Sequence, residues 1–452
     1  MFVFLDGQLF FSLQGVKLLI DKMKRTIYIF ISLMLSFATM AAGQNNFTNA
    51  VRDGVDAVKE GFSPLTKLLS GKDSATVNSK EKKSKSVIKS FTLKDGSKYT
   101  GEARGKKPHG TGRIVYPNGD FYEGTFVKGK RNGKGVYVFK DGERYEGDFV
   151  NDRHHGTGVY KFSDGRRYEG EWENDFQQGN GTMYYPNGDK YVGAWFEDKR
   201  SGLGTYLWEN GAMYIGEWEN DKHEGQGTLQ WSDNSKYEGS WHNDLIHGKG
   251  VYTYTNGDVY DGDWVAGVRT GKGVYKFATG DVYSGDYRNG EWNGTGTYTG
   301  VNGAKYHGGF RNGVRHGYGK ATLANGAVYE GNWKNGLRDG EGKYFWANGD
   351  VYEGNWANDK MNGFGMLRLA NGNKYRGNFV DGLEHGEGLA EDKDGYRYEG
   401  NFSSGKRHGT FVVKDSTGNV VRTCEYIMGQ IKPAEPEVKE QPKTTTKRKR
   451  RR

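Results

Sequence analysis

The chain is poor in the residues that most domains use as staples. A single cysteine, Cys424, stands among 452 residues, which excludes an internal disulfide framework and a cysteine-based zinc site. Only 7 prolines occur and no Gly-X-Y period appears, so the chain is not a collagen. Apolar residues, glycine not counted, make up 34%, below the roughly 45–50% of ordinary domains, a figure that includes glycine. A core of Leu, Ile and Val, as in helical bundles and α/β enzymes, is therefore not expected. Glycine and aromatics are abundant instead: 72 Gly, 30 Tyr, 23 Phe and 11 Trp. That composition calls for a search for internal repeats.

The search finds a period of 23. Tyrosines fall at Tyr99, Tyr122, Tyr145 and so on to Tyr398, fourteen copies without an insertion over residues 99–420. With Tyr as position zero, glycine occupies +2 and +11 in all fourteen copies. It occupies +13 in all but the last, where Phe411 stands, and +20 in all but one, where Asn234 stands. These four positions hold 54 of the 72 glycines, so the glycines are read as architectural rather than phosphate-binding.

Each copy reads as two strands. YEGEW at 168–172 alternates with period two, placing Tyr168, Gly170 and Trp172 on one face and Glu169 and Glu171 on the other. A second strand follows the Gly-x-Gly pair, with aromatic or apolar residues commonest at +15 and +17, as in Tyr206 and Trp208. The Asn-Gly or Asp-Gly pairs at +19 and +20 predict tight hairpin turns with both residues at positive φ. Asn234 fits that reading, because Asn tolerates this conformation best after glycine. The other connection, as in ENDKHEG at 219–225, reads as longer, polar and variable. Fourteen such hairpins make a meandering antiparallel sheet, roughly 130 Å long if 28 strands pair at ~4.8 Å.

YEGEWENDFQQGNGTMYYPNGD at 168–189 and YEGNWKNGLRDGEGKYFWANGD at 329–350 resemble the membrane occupation and recognition nexus (MORN) repeat. Ala103 and a Lys-rich connection in copy one, and Gly409-Thr410-Phe411 in copy fourteen, depart from the pattern, as capping repeats do. The resemblance implies an all-β fold: an elongated, twisted single-layer antiparallel sheet of consecutive β-hairpin repeats. It also implies a scaffold, often a dimer, near membranes.

The flanks differ in kind. Residues 23–44 carry Lys24 and Arg25, an apolar run from Ile27 to Met40, and Ala41-Ala42-Gly43 before Gln44. This reads as a secretory signal within 1–43, with Met23 as the expected start; an uncleaved, membrane-anchoring N-terminus is the alternative. Over 44–70, Phe47, Val51, Val55, Val58, Phe62, Leu65 and Leu68 recur at steps of three and four, predicting a short amphipathic helix. It would either cover the first hairpin's edge or lie on a membrane surface. A Lys/Ser-rich linker occupies 71–86, and 86–96 matches the second half of a preceding copy, so the array is placed at 87–430. Val421 takes the tyrosine position of a fifteenth copy, and 420–430 reads as a closing strand with Cys424 structurally buried. A tail, 431–452, ends in the run Lys447, Arg448, Lys449, Arg450, Arg451 and Arg452.

Partitioning the net charge of +9 relocates it. Residues 1–98 hold 15 basic and 8 acidic residues and 432–452 hold 9 and 3, leaving the array between them net negative by four. Nucleic acid is therefore not an expected partner, and contact with an anionic membrane surface is assigned to the six tail cations. Six histidines sit at +10: His109, His155, His247, His316, His385 and His408. Equivalent positions in adjacent copies lie two strands, ~9.6 Å, apart, too far to share a zinc at ~2.0–2.1 Å, so they read as turn-stabilising. No nucleophile with an adjacent base and no unique acid pair stands out. The sequence thus reads as a non-enzymatic, exported scaffold without cofactor or metal. Its candidate interaction face is Trp172, Trp195, Trp218, Trp241, Trp264, Trp333 and Trp356; its partners are proteins, including a second copy as a homodimer. Direct binding of anionic lipid through the tail and the 44–70 helix is the alternative.

Overall fold

The structure, a computed structural model, describes residues 3–5, 8–10 and 87–432. Most of the signal segment, the 44–70 helix, the linker and residues 433–452 with the basic run lie outside the described residues. Two compact units are distinguished, Met1–Ser84 and Lys85–Arg452. In the first, Val3–Leu5 pairs antiparallel with Gln8–Phe10.

The second unit is one antiparallel sheet of 31 strands, from Val87–Thr92 to Gln430–Ile431. Every strand pairs with its neighbours in sequence. Val87–Thr92 pairs only with Lys98–Arg104, and Gln430–Ile431 only with Val420–Ile427, so the sheet is open. Among the described residues all regular structure is β.

The glycines at +2 and +13 stand opposite each other in every interior pairing, as in Gly158↔Gly170 and Gly170↔Gly181. They form an unbroken row across the sheet, and each tyrosine ring lies flat over its own pair. A Cβ on Gly239 would stand 2.5 Å from Gly250 Cα and 2.6 Å from the Tyr237 hydroxyl. The phenol reaches along the strand and donates to the carbonyl three residues on, as Tyr352 does to Asn355 at 2.9 Å. Burial pushes that phenol up to about 12, so it stays a neutral donor. The period-two pattern thus packs a ring along the strand instead of outward, which only glycine beneath it allows.

Three details differ from the sequence reading. The connection expected to be long is the tight one: Asn220-Asp221 have φ of 50° and 68° and join Met213–Glu219 to Lys222–Gln230. The Gly-x-Gly pair lies inside this nine-residue second strand, and +11 is its bulge, with Gly225 at φ 65°. At +19 and +20 only the second residue is left-handed. Gly188 has φ 94° and donates to the Tyr185 carbonyl at 3.1 Å, while Asn187 Oδ1 accepts from Asp189 N at 3.1 Å, an Asx turn. Asn234, at φ 69°, does replace glycine at the left-handed position.

The last copy ends the glycine row. Phe411 is fully buried and its ring occupies the slot over Gly400. Tyr398 is displaced from that slot and donates to Asp392 instead. A bulge at Val421 then shifts the register, pairing Val413 with Arg422 and Phe411 with Cys424. The fifteenth tyrosine position is therefore Arg422, not Val421, and Cys424 stands at a glycine position, half-buried against the aromatic layer.

Candidate interaction site

The seven tryptophans do not form an open face. Each is only 4–6% exposed, and each indole donates to a glycine carbonyl of the preceding copy, as Trp241 Nε1 does to Gly227 O at 3.1 Å. Their rings meet tyrosines of two copies edge-on: Trp241 lies 5.3 Å from Tyr237 and 5.5 Å from Tyr214. The chain's own rings cover this face, because the flat tyrosines bring successive copies into side-chain contact. The sheet is packed by these tryptophans, and they are not presented to a partner.

Two further positions lock copies together, and sequence reasoning passed over both. At +9, Arg131, Arg200, Arg269, Arg315, Arg338 and Arg407 lay guanidinium groups over tyrosine rings. Where the next copy has Asp at +7 the pair closes: Arg200 Nε meets Asp221 at 3.0 Å and the guanidinium lies 4.3 Å from the Trp218 ring. Arg338, Asp359 and Trp356 repeat this arrangement. At +21, Asp120, Asp189, Asp258 and Asp281 accept a tyrosine hydroxyl from the next copy at 2.7–2.8 Å, with Glu143 and Tyr160 as a fifth pair. An acid followed 17 residues later by Tyr was the readable signal.

At the +9 position of copies three and six stand His154 and His223, stacked on Tyr145 and Tyr214 at 3.8 Å. Burial lowers both to about 4, against the carboxylates of Asp175 and Asp244 nearby, which act in the opposite sense. They are neutral when folded at pH 7 and take up protons readily only when unfolded. Stability is therefore complete above pH ~6.5 and falls as the pH drops toward 4. Each histidine should cost about 2 kcal/mol by pH 5. Melting temperatures of wild type and a His154→Gln/His223→Gln variant at pH 7.5 and 5 check this. An equal pH dependence in both would refute it.

Of the +10 histidines, His109, His247 and His408 accept a backbone N–H from the next tight turn at 3.5 Å, a marginal turn contact. His316 Nδ1 is buried without a partner. Among the described residues no group of three or more potential ligands is placed to hold a metal.

In copies three to five the aromatic face opens into a groove of about 490 Å³, bordered by Tyr160, Phe162, Tyr185, Trp195, Asp175 and Asp198. On the opposite face the +12 position is exposed and holds Lys134, Asn180, Lys249, Tyr318, Glu341 and Phe364 in different copies. Tyr318 and Phe364 are 62% and 50% exposed.

The MORN repeat family model matches fourteen consecutive segments, from 99–121 to 398–410. No curated protein matches the chain. Among solved structures it is similar to the TCP10 domain of Danio rerio CPAP in complex with a peptide of Danio rerio STIL. That match is 12% identical, covers 59% of this chain and 93% of the other, and has a TM-score of 0.24. The G-box domain of the microcephaly protein CPAP is 13% identical, with 44% and 98% covered and a TM-score of 0.26. Likeness at that level carries no argument about function.

Proposed function

The chain belongs to the MORN repeat family, and from that premise we propose that it is an exported, non-catalytic scaffold that binds protein partners near a membrane. One observation carries the reading. The recurring residues, Tyr at zero, the aromatic at +4 and the glycine row, are consumed in joining copies. The exposed +12 position of the same strands changes identity from copy to copy. A long surface of fixed geometry and varied chemistry suits the binding of extended or multiple partners. Tyr318 and Phe364 are its strongest candidates for contact, because exposed aromatics on a rigid strand are common anchors.

Purification from the producing cells tests both parts. Export predicts a mature chain beginning at Gln44; an intact Met1 or Met23 in the cytosolic fraction refutes it. Co-purifying proteins should fall away from a Tyr318→Ser/Phe364→Ser variant whose melting is unchanged. An identical set of proteins on that variant would refute the assigned face. The alternative, direct binding of anionic lipid, draws on the run Lys447–Arg452, each cation contributing about 1 kcal/mol near such a surface. It requires that removing residues 444–452 abolish liposome binding at low salt.

A further inference from the structure

The groove in copies three to five is a place where the arginine that six copies carry at +9 is missing. In the flanking copies Arg131 stands against Asp152, and Arg200 against Asp221, each with its guanidinium over aromatic rings. Between them Asp175 accepts the backbone N–H of His154 at 2.7 Å, and Asp198 that of Gln177 at 2.7 Å. His154 is neutral at pH 7 and Gln177 carries no charge, so these two carboxylates face no charged partner from the +9 position. Gln177 is shorter than arginine and buried, and the exposed carboxylates of Asp175 and Asp198 stand on the groove wall. Arg166, at the rim, is engaged by Asp164 at 2.7 Å.

We propose that this groove is a docking site for arginine side chains, and that its occupant is the basic run 447–452 of a second copy of the chain. The fold itself shows what fills such a notch: a guanidinium against Asp at +7 and over Trp at +4, as in Arg200 and Arg338. Charge selects the segment, because the array is net negative by four while 432–452 carries nine basic residues against three acidic ones. Reach selects the second copy. Twenty-one strand spacings, roughly 100 Å along the sheet, separate Val420–Ile427 from Phe176–Tyr184. The fifteen residues from Lys432 to Lys447 span at most ~50 Å. Two chains placed side by side and antiparallel bring each tail to the other's groove, which lies eight strand spacings, ~40 Å, from the start of the array, and the arrangement does not depend on which external partner the scaffold carries.

The test uses the full chain with a photo-crosslinking phenylalanine analogue in place of Tyr185, in an equal mixture of ¹⁴N and ¹⁵N protein. The expected products are inter-chain links mapping within 443–452. An Asp175→Asn/Asp198→Asn variant, which keeps the backbone hydrogen bonds, should lower their yield about tenfold. Gln177→Arg supplies the residue that copies two and five carry as Arg131 and Arg200, so it should fill the notch from within and abolish the links while the protein stays folded. Links confined to one chain, links to other regions, or yields unchanged in both variants would overturn the proposal.

Discussion

Replacing Gly239 with alanine should cost ~3 kcal/mol or more and split the unfolding of the array into two transitions. A Cβ there would lie 2.5 Å from Gly250 Cα and 2.5 Å from the Lys249 carbonyl oxygen. Both belong to the facing backbone, which cannot swing aside as a side chain can. Overpacking ordinarily costs 1–3 kcal/mol, and a clash between two paired main chains belongs at or above the top of that range. Relief requires Lys236–His242 to part from Leu245–Thr253. In a linear repeat stability is a sum over neighbouring units, so a broken ladder in copy seven leaves the copies on either side as separately melting blocks. Gly317→Ala is the control. Gly317 has φ 75° but nothing within 4 Å of an added Cβ, so only left-handed strain, roughly 1–2 kcal/mol, opposes it. Calorimetry should therefore show two transitions for Gly239→Ala and one, slightly shifted, for Gly317→Ala. The same single transition in both would refute the steric account.

Period, register and strand content were legible because each repeat is set by hard constraints written in single residues. Glycine at +2 and +13 is such a constraint, and it located the ladder, though not the tyrosine ring two residues away that lies over it. The turns were harder. Asn-Gly at +19 and +20 resembles the tightest hairpin signal, yet Asn187 acts through its side chain while Asn174-Asp175 adopt the doubly left-handed turn, φ 52° and 74°. Sequence cannot weigh these two uses of Asn, since both are local and both are favourable. The register at the end was hidden for a different reason. Val421 sits where the period puts it, but a one-residue bulge in the last pairing moves Arg422 into register.

The locks between copies were invisible as single positions because they vary in identity while keeping one geometry. At +9, Arg131, His154, Arg200, His223 and Trp292 all cover a tyrosine ring. Nine of the fourteen copies place a planar π or guanidinium surface there, and a residue-by-residue consensus averages it away. The groove lies where the same place holds Gln177, in copy four. Departure from the repeat, rather than the repeat, marks the site, as expected where a local rule is broken without an internal gain.

Trp241→Ala should cost about 4 kcal/mol, the range for truncating a buried large aromatic. The side chain is 5% exposed, its indole satisfies the Gly227 carbonyl, and its ring meets Tyr237, Tyr214 and His223. Removal would leave a cavity between copies six and seven and an unpaired carbonyl, and would open His223 to water. A second consequence separates this from a general loss of packing: relieved of burial, His223 should titrate closer to the ordinary imidazole value, so the added acid sensitivity of that copy should shrink. Trp241→Phe keeps a ring where other copies carry Phe126, Phe149 or Phe379, and should cost roughly 1–2 kcal/mol, mainly the lost indole hydrogen bond and its area. Were the tryptophans instead a contact face for a partner, both substitutions would leave melting unchanged and weaken only partner binding. Thermal melts of the two variants, read beside co-purification, decide between those outcomes. The burial of all seven indoles by their own chain commits the structure to a loss of stability before any loss of binding.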